Sequence, residues 1–285
     1  MNHYLLDPGI IQKMAGIIKN AIENDLDLDS FIVYLANNLV DSMGLSEYAG
    51  KVRVFDEEKK GSKVKGKYIK DTKELHFYRA GLKHFYDDFA KGIPDIFTEE
   101  QQKAIKYFCC TKVIVHEIEH LKQAISAEKG ERDNIRDLVN LFCDRYNGLM
   151  AQMGYRLMGK YHPTERYADY VGFESAASVC DMLGEDYKKI ATLLRVINVT
   201  SCIDGYLGTF DEEKVKPTDG PTYYCMLQFT KDGQFEEFKK MVQEKQPSFE
   251  ERFFLGIELS EKEIESVMDY RHELIDSLQI PKHGM

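Results

Sequence analysis

One long helical segment, between Thr98 and Lys129, constrains the fold of this chain more than any other feature. Thr98 and Gln101 form the pattern of a capping box, which marks where the helix begins. Apolar residues then recur at helical spacing, Ile114 and Ile118 among them. The segment therefore predicts a long helix that packs along one apolar stripe.

Within this helix the sequence VIVHEIEHLKQ places His116 and His120 four residues apart. Residues at this spacing lie on one face of a helix about one turn apart, so both imidazole rings can reach the same metal ion. At 100° per residue the apolar stripe lies about 150° away from the pair, so the histidines should face away from the main packing surface. We interpret them as metal ligands, with Glu117 between them as a general base.

A second helix is predicted to begin at Pro163, and its apolar stripe, extended backwards, includes Glu165 and Asp169. Two carboxylates on a buried face are costly unless a cation or strong donors compensate them. A zinc ion bound by both histidines and Glu165, with water in the fourth position, would do so. Asp169 would then accept a hydrogen bond from the other ring nitrogen of His116 and fix its tautomer.

This arrangement, HEIEH at 116–120 followed by ERYAD at 165–169, resembles the gluzincin branch of the zincin metallopeptidases. The resemblance implies a zinc cofactor, a peptidase activity with Glu117 as general base, and a peptide or protein as substrate. It also implies that a strand edge ahead of the helix, within residues 64–79, holds an extended substrate by β-pairing.

Other zincin branches match less of the sequence. The metzincin extension would need a glycine and a histidine where the chain has Gln123 and Ser126, which excludes that branch. The residues Gly208-Thr209-Phe210-Asp211 match part of an aspzincin motif, so Asp211 is an alternative third ligand. Glu119 occupies a position that is usually uncharged in zincins, and it is expected either to be solvated or to add to the negative field of the site.

Hydrolysis through a tetrahedral oxyanion needs a side-chain donor in addition to zinc. The candidates near the predicted ligand helix are Tyr155, Tyr161, His162 and Tyr167, of which we take Tyr155 and His162 as the catalytic candidates. A packing role is the alternative for each of them.

The remaining pattern predicts an α+β fold in which helices dominate. Two helices are expected over residues 8–43, and further helices over 131–158 and 164–198. The only β region is 51–79, where two short runs flank a hairpin turn at residues 71–73. We therefore expect a small antiparallel sheet ahead of the helix that carries the histidines.

The last part of the chain is predicted to be a loop over residues 204–221 and then helical again. A capping box at Ser260 and Glu263 marks the start of its final helix. We expect two lobes with a cleft between them. Residues 1–130 would form a zincin-like lobe with the hairpin and the HExxH helix, and residues 131–285 a helical lobe that carries the third zinc ligand.

The amino-acid composition limits the classes of partner that this chain is expected to bind. The 285 residues include 48 acidic and 38 basic side chains, and a net charge of −10 opposes binding to a phosphate backbone. No segment has the pattern of a signal peptide or a membrane span, so we expect a cytoplasmic protein without a membrane partner. The six cysteines form no CxxC pair and are expected to be reduced, buried thiols.

Three hypotheses about function remain open. The first is a cytoplasmic zinc peptidase. The second is a zincin-like protein that keeps its metal but acts as a regulatory or accessory module, for example one carried by a phage or another mobile element. The third is a helical interaction protein in which HEIEH is accidental. Metal content and turnover distinguish the three.

Overall fold

The computed structural model describes residues 6–91, 96–152, 162–207, 220–227 and 233–278. The fold is α+β and predominantly helical, as the sequence predicts. Among the residues described, no helix combines the length and the apolar character that crossing a bilayer requires.

The chain divides into two compact units that alternate along the sequence. The sheet unit comprises residues 2–121, 171–196 and 273–285, and the helical unit comprises residues 122–170 and 197–272. The expected division at residue 130, with a cleft between two lobes, stays a prediction.

The sheet unit begins with the two predicted helices, α1 (Pro8–Glu23) and α2 (Leu28–Ser42). Each is capped by an aspartate, Asp7 or Asp27, whose carboxylate accepts a hydrogen bond from a backbone N–H of the first turn. Both helices bury apolar residues at helical spacing, and these include Ile11, Met14, Ile18, Phe31, Ile32 and Leu35.

Three short strands follow: β1 (Val52–Phe55), β2 (Gly66–Ile69) and β3 (Glu74–Tyr78). Their order in the sheet is β1-β3-β2, and β2 and β3 form the predicted antiparallel hairpin, with Lys73 in its turn at a φ of 56°. The prediction of an antiparallel sheet is wrong for β1, which pairs with β3 in parallel. The alternation of residues in β1 indicates a strand but not whether it runs parallel or antiparallel to its neighbour. That direction depends on how residues 56–65 connect β1 to β2 at the opposite edge of the sheet.

A helix that the sequence analysis did not include, α3 (Arg79–Lys91), follows β3 directly. Leu82, Phe85 and Phe89 recur at helical spacing in it, and Leu82 and Phe89 are buried. No turn residue separates Tyr78 from Arg79, so the local sequence gives no sign that the strand ends there.

The predicted long helix is α4 (Glu99–Lys129). Its capping box is present: the Thr98 N–H donates to Oε1 of Gln101 at 2.9 Å, and the Gln101 N–H donates to Oγ1 of Thr98 at 3.2 Å. Nearly every side chain from Ala104 to Ala127 is buried, so this helix is covered on all sides and not only along one stripe.

After α4 the chain forms α5 (Ile135–Gln152), α6 (Pro163–Leu183) and α7 (Lys188–Tyr206). The helix predicted over residues 164–198 is present but interrupted, because Gly184 adopts a φ of 109° and a short 3₁₀ turn follows it. Residues 204–206 of the expected loop are helical, and residues 208–219 lie outside the described part of the chain.

The helical unit is completed by α8 (Gly220–Leu227), α9 (Gln234–Glu244) and α10 (Phe249–Leu255), and a last helix, α11 (Glu261–Ser277), follows. The predicted capping box at the start of α11 is confirmed, because the Ser260 N–H donates to Oε2 of Glu263 at 2.8 Å. The apolar core of this unit is formed by Ile135, Leu138, Val139, Cys143, Tyr223, Phe238, Val242, Leu255 and Ile257.

Candidate metal centre

Two helices, α4 and α6, pack against each other and run in opposite directions. Near the end of α4, Nε2 of Gln123 donates to the carbonyl of Thr164 at the start of α6, at 3.0 Å. One turn before the first histidine, the carbonyl of Lys112 lies so close to Gly172 of α6 that a Cβ on Gly172 would be 2.6 Å from it and 3.4 Å from the Cβ of His116. The backbones approach this closely because residue 172 has no side chain.

The structure brings the three predicted ligand residues together on these helices. One ring nitrogen of His116, one of His120 and one carboxylate oxygen of Glu165 all lie within 4.8 Å of one another. The Nε2 atoms of the two histidines are 3.0 Å apart, and their ring planes are nearly perpendicular, at 88°. Ring nitrogens this close share either a proton or a cation.

The donors and their spacing fit a zinc ion. Ligand nitrogens at about 2.0–2.1 Å from a tetrahedral zinc lie about 3.3 Å from each other, close to the separation of the two Nε2 atoms. Two imidazoles and one carboxylate are the ligand set of many catalytic zinc sites, in which water takes the fourth position. Calcium and magnesium prefer oxygen ligands alone, so two imidazoles favour a transition metal. His116 is 9% exposed, which limits its contact with bulk water.

Glu117, the predicted general base, lies against the edge of the sheet. Its side chain is 6% exposed, and its Oε2 accepts a hydrogen bond of 2.9 Å from the backbone N–H of Tyr68 in β2. Within the region expected to hold substrate, residues 64–79, β3 is paired on both sides and β2 on one side. Only β2 can therefore offer an edge for an added strand.

The expectation that Glu119 is solvated is wrong, because this residue is 1% exposed. It lies in the part of α4 that is covered on all sides. Its carboxylate therefore belongs to the protein interior, next in sequence to the second histidine.

A buried arginine holds the start of α6, where Glu165 lies. The guanidinium of Arg166 donates to the carbonyl of Cys202 in α7 at 3.2 Å and to the carbonyl of Phe253 in α10 at 3.0 Å. Gly205 and Gly256 give it room, because a Cβ on either would collide with it; the distance at Gly256 would be 2.7 Å from Nε. The two hydrogen bonds hold the residue that follows Glu165, the predicted third ligand.

Of the four candidates for the oxyanion donor, His162 and Tyr167 lie within the described residues. Tyr155 and Tyr161 lie outside the described residues, as does Asp211, the alternative third ligand. His162 directly precedes α6, is 5% exposed, and its Nδ1 is 2.7 Å from Oγ1 of Thr164. Its action on an oxyanion stays a prediction.

Tyr167 and Asp169, for which roles were also predicted, both lie on α6. Tyr167 packs edge-on against the ring of Tyr170, with the ring centres 6.0 Å apart, and the Arg136 guanidinium lies over its ring. This describes a packing role for Tyr167. Asp169 lies one turn after Glu165 on α6 and is partly buried, and its hydrogen bond to a ligand histidine stays a prediction.

Three residues that shape the site, Gly66, Gly172 and Arg166, were not predicted from the sequence. An isolated glycine inside a helical pattern lowers helix stability, and Gly172 is one such residue, but this signal alone does not identify the contact that it allows. The contact of Glu117 with β2 and the partners of Arg166 involve residues far away in the sequence, and no local pattern indicates them.

Comparison with known proteins gives no match: no family model, no curated protein and no solved structure matches this chain. The gluzincin resemblance therefore rests on the motif residues alone.

Proposed function

We propose that this protein is a zinc-dependent hydrolase, specifically a cytoplasmic peptidase of the gluzincin type. His116, His120 and Glu165 hold the metal in this proposal, and Glu117 is the general base. The observation that carries it is the convergence of the three ligand atoms to within 4.8 Å. A chance HExxH on a helix would not require a carboxylate from another helix to lie beside both histidines.

The chemistry follows from the donor set. Zinc in such a site lowers the pKa of a bound water towards about 7 and polarises the carbonyl under attack. Glu117 takes the proton from the attacking water and returns it to the leaving amine. Its low exposure, 6%, keeps bulk water from competing for that proton.

The substrate in this proposal is an extended peptide or an exposed segment of a protein. Edge strand β2 is where such a segment would pair, through backbone groups other than the Tyr68 N–H, which donates to Glu117. The net charge of −10 argues against nucleic acid as the substrate.

The direct test is the metal content of the protein purified without a chelating tag. Elemental mass spectrometry should find about one zinc per chain in the wild type. His116→Ala and Glu165→Ala should each lose it, because two remaining ligands bind zinc weakly. His84→Ala, which changes a partly exposed histidine on α3 that pairs with Asp88, is the matched control and should keep the metal.

Turnover separates an enzyme from a metal-binding module. With a peptide library as substrate, Glu117→Gln should keep zinc and lose at least about a hundredfold in kcat, because it cannot take a proton. Zinc without turnover on any peptide would instead support the regulatory or accessory module. A wild type that binds no zinc even after zinc is added would overturn the proposal and leave HEIEH as an ordinary helical sequence.

A further inference from the structure

The side chain of Glu117 is fixed by the backbone of β2. In the antiparallel pair of β2 and β3, Gly66 lies opposite Phe77 and Tyr68 opposite Leu75. The Tyr78 N–H donates to the carbonyl of Lys65 at 2.9 Å, which shows that the next pair, at Gly66, is one without ladder hydrogen bonds. By the same alternation, the N–H of Tyr68 points away from β3, and there it donates to Glu117.

Gly66 determines how close the strand and the carboxylate can be. A Cβ at this position would lie 2.8 Å from both Cγ and Oε1 of Glu117, and 3.0 Å from Cγ1 of Val113. These distances are shorter than normal contacts, so any side chain at residue 66 would push Glu117 away. Gly66 is not among the residues with positive φ, so its backbone conformation does not require glycine. Glycine is required at this position because the strand lies so close to Glu117.

We propose that Gly66 and Tyr68 are positioning residues for the general base. The N–H of Tyr68 holds Oε2 of Glu117, and the bare Cα of Gly66 allows the rest of the carboxylate to lie against the strand. The catalytic meaning of this contact rests on the proposed function. The contact itself can be tested in the metal-free protein, so the two proposals fail separately.

Hydrogen exchange of the Tyr68 amide, measured by NMR, tests the contact without any assay of activity. Glu117→Ala should speed this exchange at least about tenfold, because the side-chain acceptor of the Tyr68 N–H is lost. Glu117→Gln keeps an acceptor oxygen and should stay near the wild-type rate. The amide of Lys67, which faces β3 in the ladder, is the internal control and should not change. Equal Tyr68 exchange in Glu117→Ala and wild type would overturn the proposal.

Gly66→Ala tests the proposed role of Gly66. Its methyl group should displace Glu117, so Tyr68 exchange should rise as in Glu117→Ala, while the zinc content stays at the wild-type value. Gly16→Ala is the control, since a Cβ on Gly16 would contact nothing within 4 Å. Unchanged Tyr68 exchange in Gly66→Ala would overturn the role of Gly66.

A pair of variants isolates the N–H itself. Tyr68→Pro removes both the ring and the N–H, whereas Tyr68→Ala removes only the ring. Proline is tolerated on an edge strand where the missing N–H faces outwards, so both variants can keep the hairpin. At equal zinc content, kcat should be about ten- to a hundredfold lower in Tyr68→Pro than in Tyr68→Ala, with KM nearly equal, because a base moved by about 1 Å loses its alignment. Equal kcat in the two variants would overturn the positioning role, whereas absence of turnover in the wild type would count only against the proposed function.

Discussion

Replacing Arg166 by methionine should destabilise the helical unit and weaken metal binding together. Arg166 is 4% exposed and directly follows Glu165, the proposed third ligand, and its guanidinium joins the start of α6 to two other helices. Methionine keeps an unbranched apolar side chain of similar length but provides no donor. The change therefore removes the hydrogen bonds with little loss of packing.

The expected loss in the free energy of unfolding follows from the contacts that Arg166 makes. Two hydrogen bonds from a charged donor to buried carbonyls, at 3.2 Å and 3.0 Å, are each worth about 1.5–3 kcal/mol. Contact between the Arg166 guanidinium and the ring of Tyr206, 5.5 Å from the ring centre, adds about 0.5–2 kcal/mol. Loss of all three contacts should lower the free energy of unfolding by about 3–6 kcal/mol, allowing for some relaxation.

The assay has two parts. Urea unfolding should give a lower midpoint with an unchanged slope, and a chelator competition should give a zinc dissociation constant at least about tenfold higher. Arg166→Lys is the matched variant, because lysine keeps the charge but cannot donate to both carbonyls in the same planar geometry. Its unfolding midpoint and its zinc dissociation constant should lie between those of the wild type and the methionine variant. A methionine variant within about 1 kcal/mol of wild type with the same zinc affinity would refute the reasoning.

Three further predictions concern other parts of the structure. Gly172→Ala should cost about 1–3 kcal/mol in urea unfolding and weaken zinc binding, because its methyl group would force α4 and α6 apart; wild-type stability would contradict the close contact. Burial raises the pKa of Cys110 to about 12, so iodoacetamide at pH 8 should label this thiol only after unfolding, as peptide mapping would show, and rapid labelling of the folded protein would contradict its burial. A side-chain hydrogen bond from Arg252 lowers the pKa of Glu263 to about 2 from 4.5, so the stabilisation by this carboxylate is present above about pH 4.5 and lost as the pH falls towards 2. Glu263→Gln should therefore flatten the fall of the urea midpoint over that range, and an unchanged slope would refute this assignment.

Local signals in the sequence were sufficient to predict where most of the helices lie. The capping boxes at Thr98 and Ser260 mark two helix starts within one residue, because the atoms that satisfy the first backbone N–H groups are three residues apart in sequence. Helix α3 was missed because the chain continues from Tyr78 into it without a glycine or proline. The break at Gly184 was missed because a single glycine inside an apolar periodicity does not distinguish a kink from a helix end.

The candidate site also contains some residues that local sequence patterns predict and others that depend on contacts distant in the sequence. His116 and His120 are neighbours because a helix places them so, and their spacing is sufficient to predict it. Glu165 could be predicted only through the cost of burying a carboxylate, a general argument that names a residue without giving its partner. The position of Glu117 against β2 depends on the register of a sheet whose first strand runs opposite to expectation, and no pattern in the helix itself records that contact.

The contact of α4 with α6 at Gly172 has a consequence for recognising distant relatives of this protein. Glu165 and Gly172 are two helical turns apart, so they lie on one face of α6, and all three proposed ligand residues belong to helices and not to loops. The number of residues that connect the helices can therefore drift during evolution without moving a ligand. A search that fixes the distance between HExxH and the following glutamate would miss such relatives. One that requires a glycine or another small residue two turns after that glutamate would retain them.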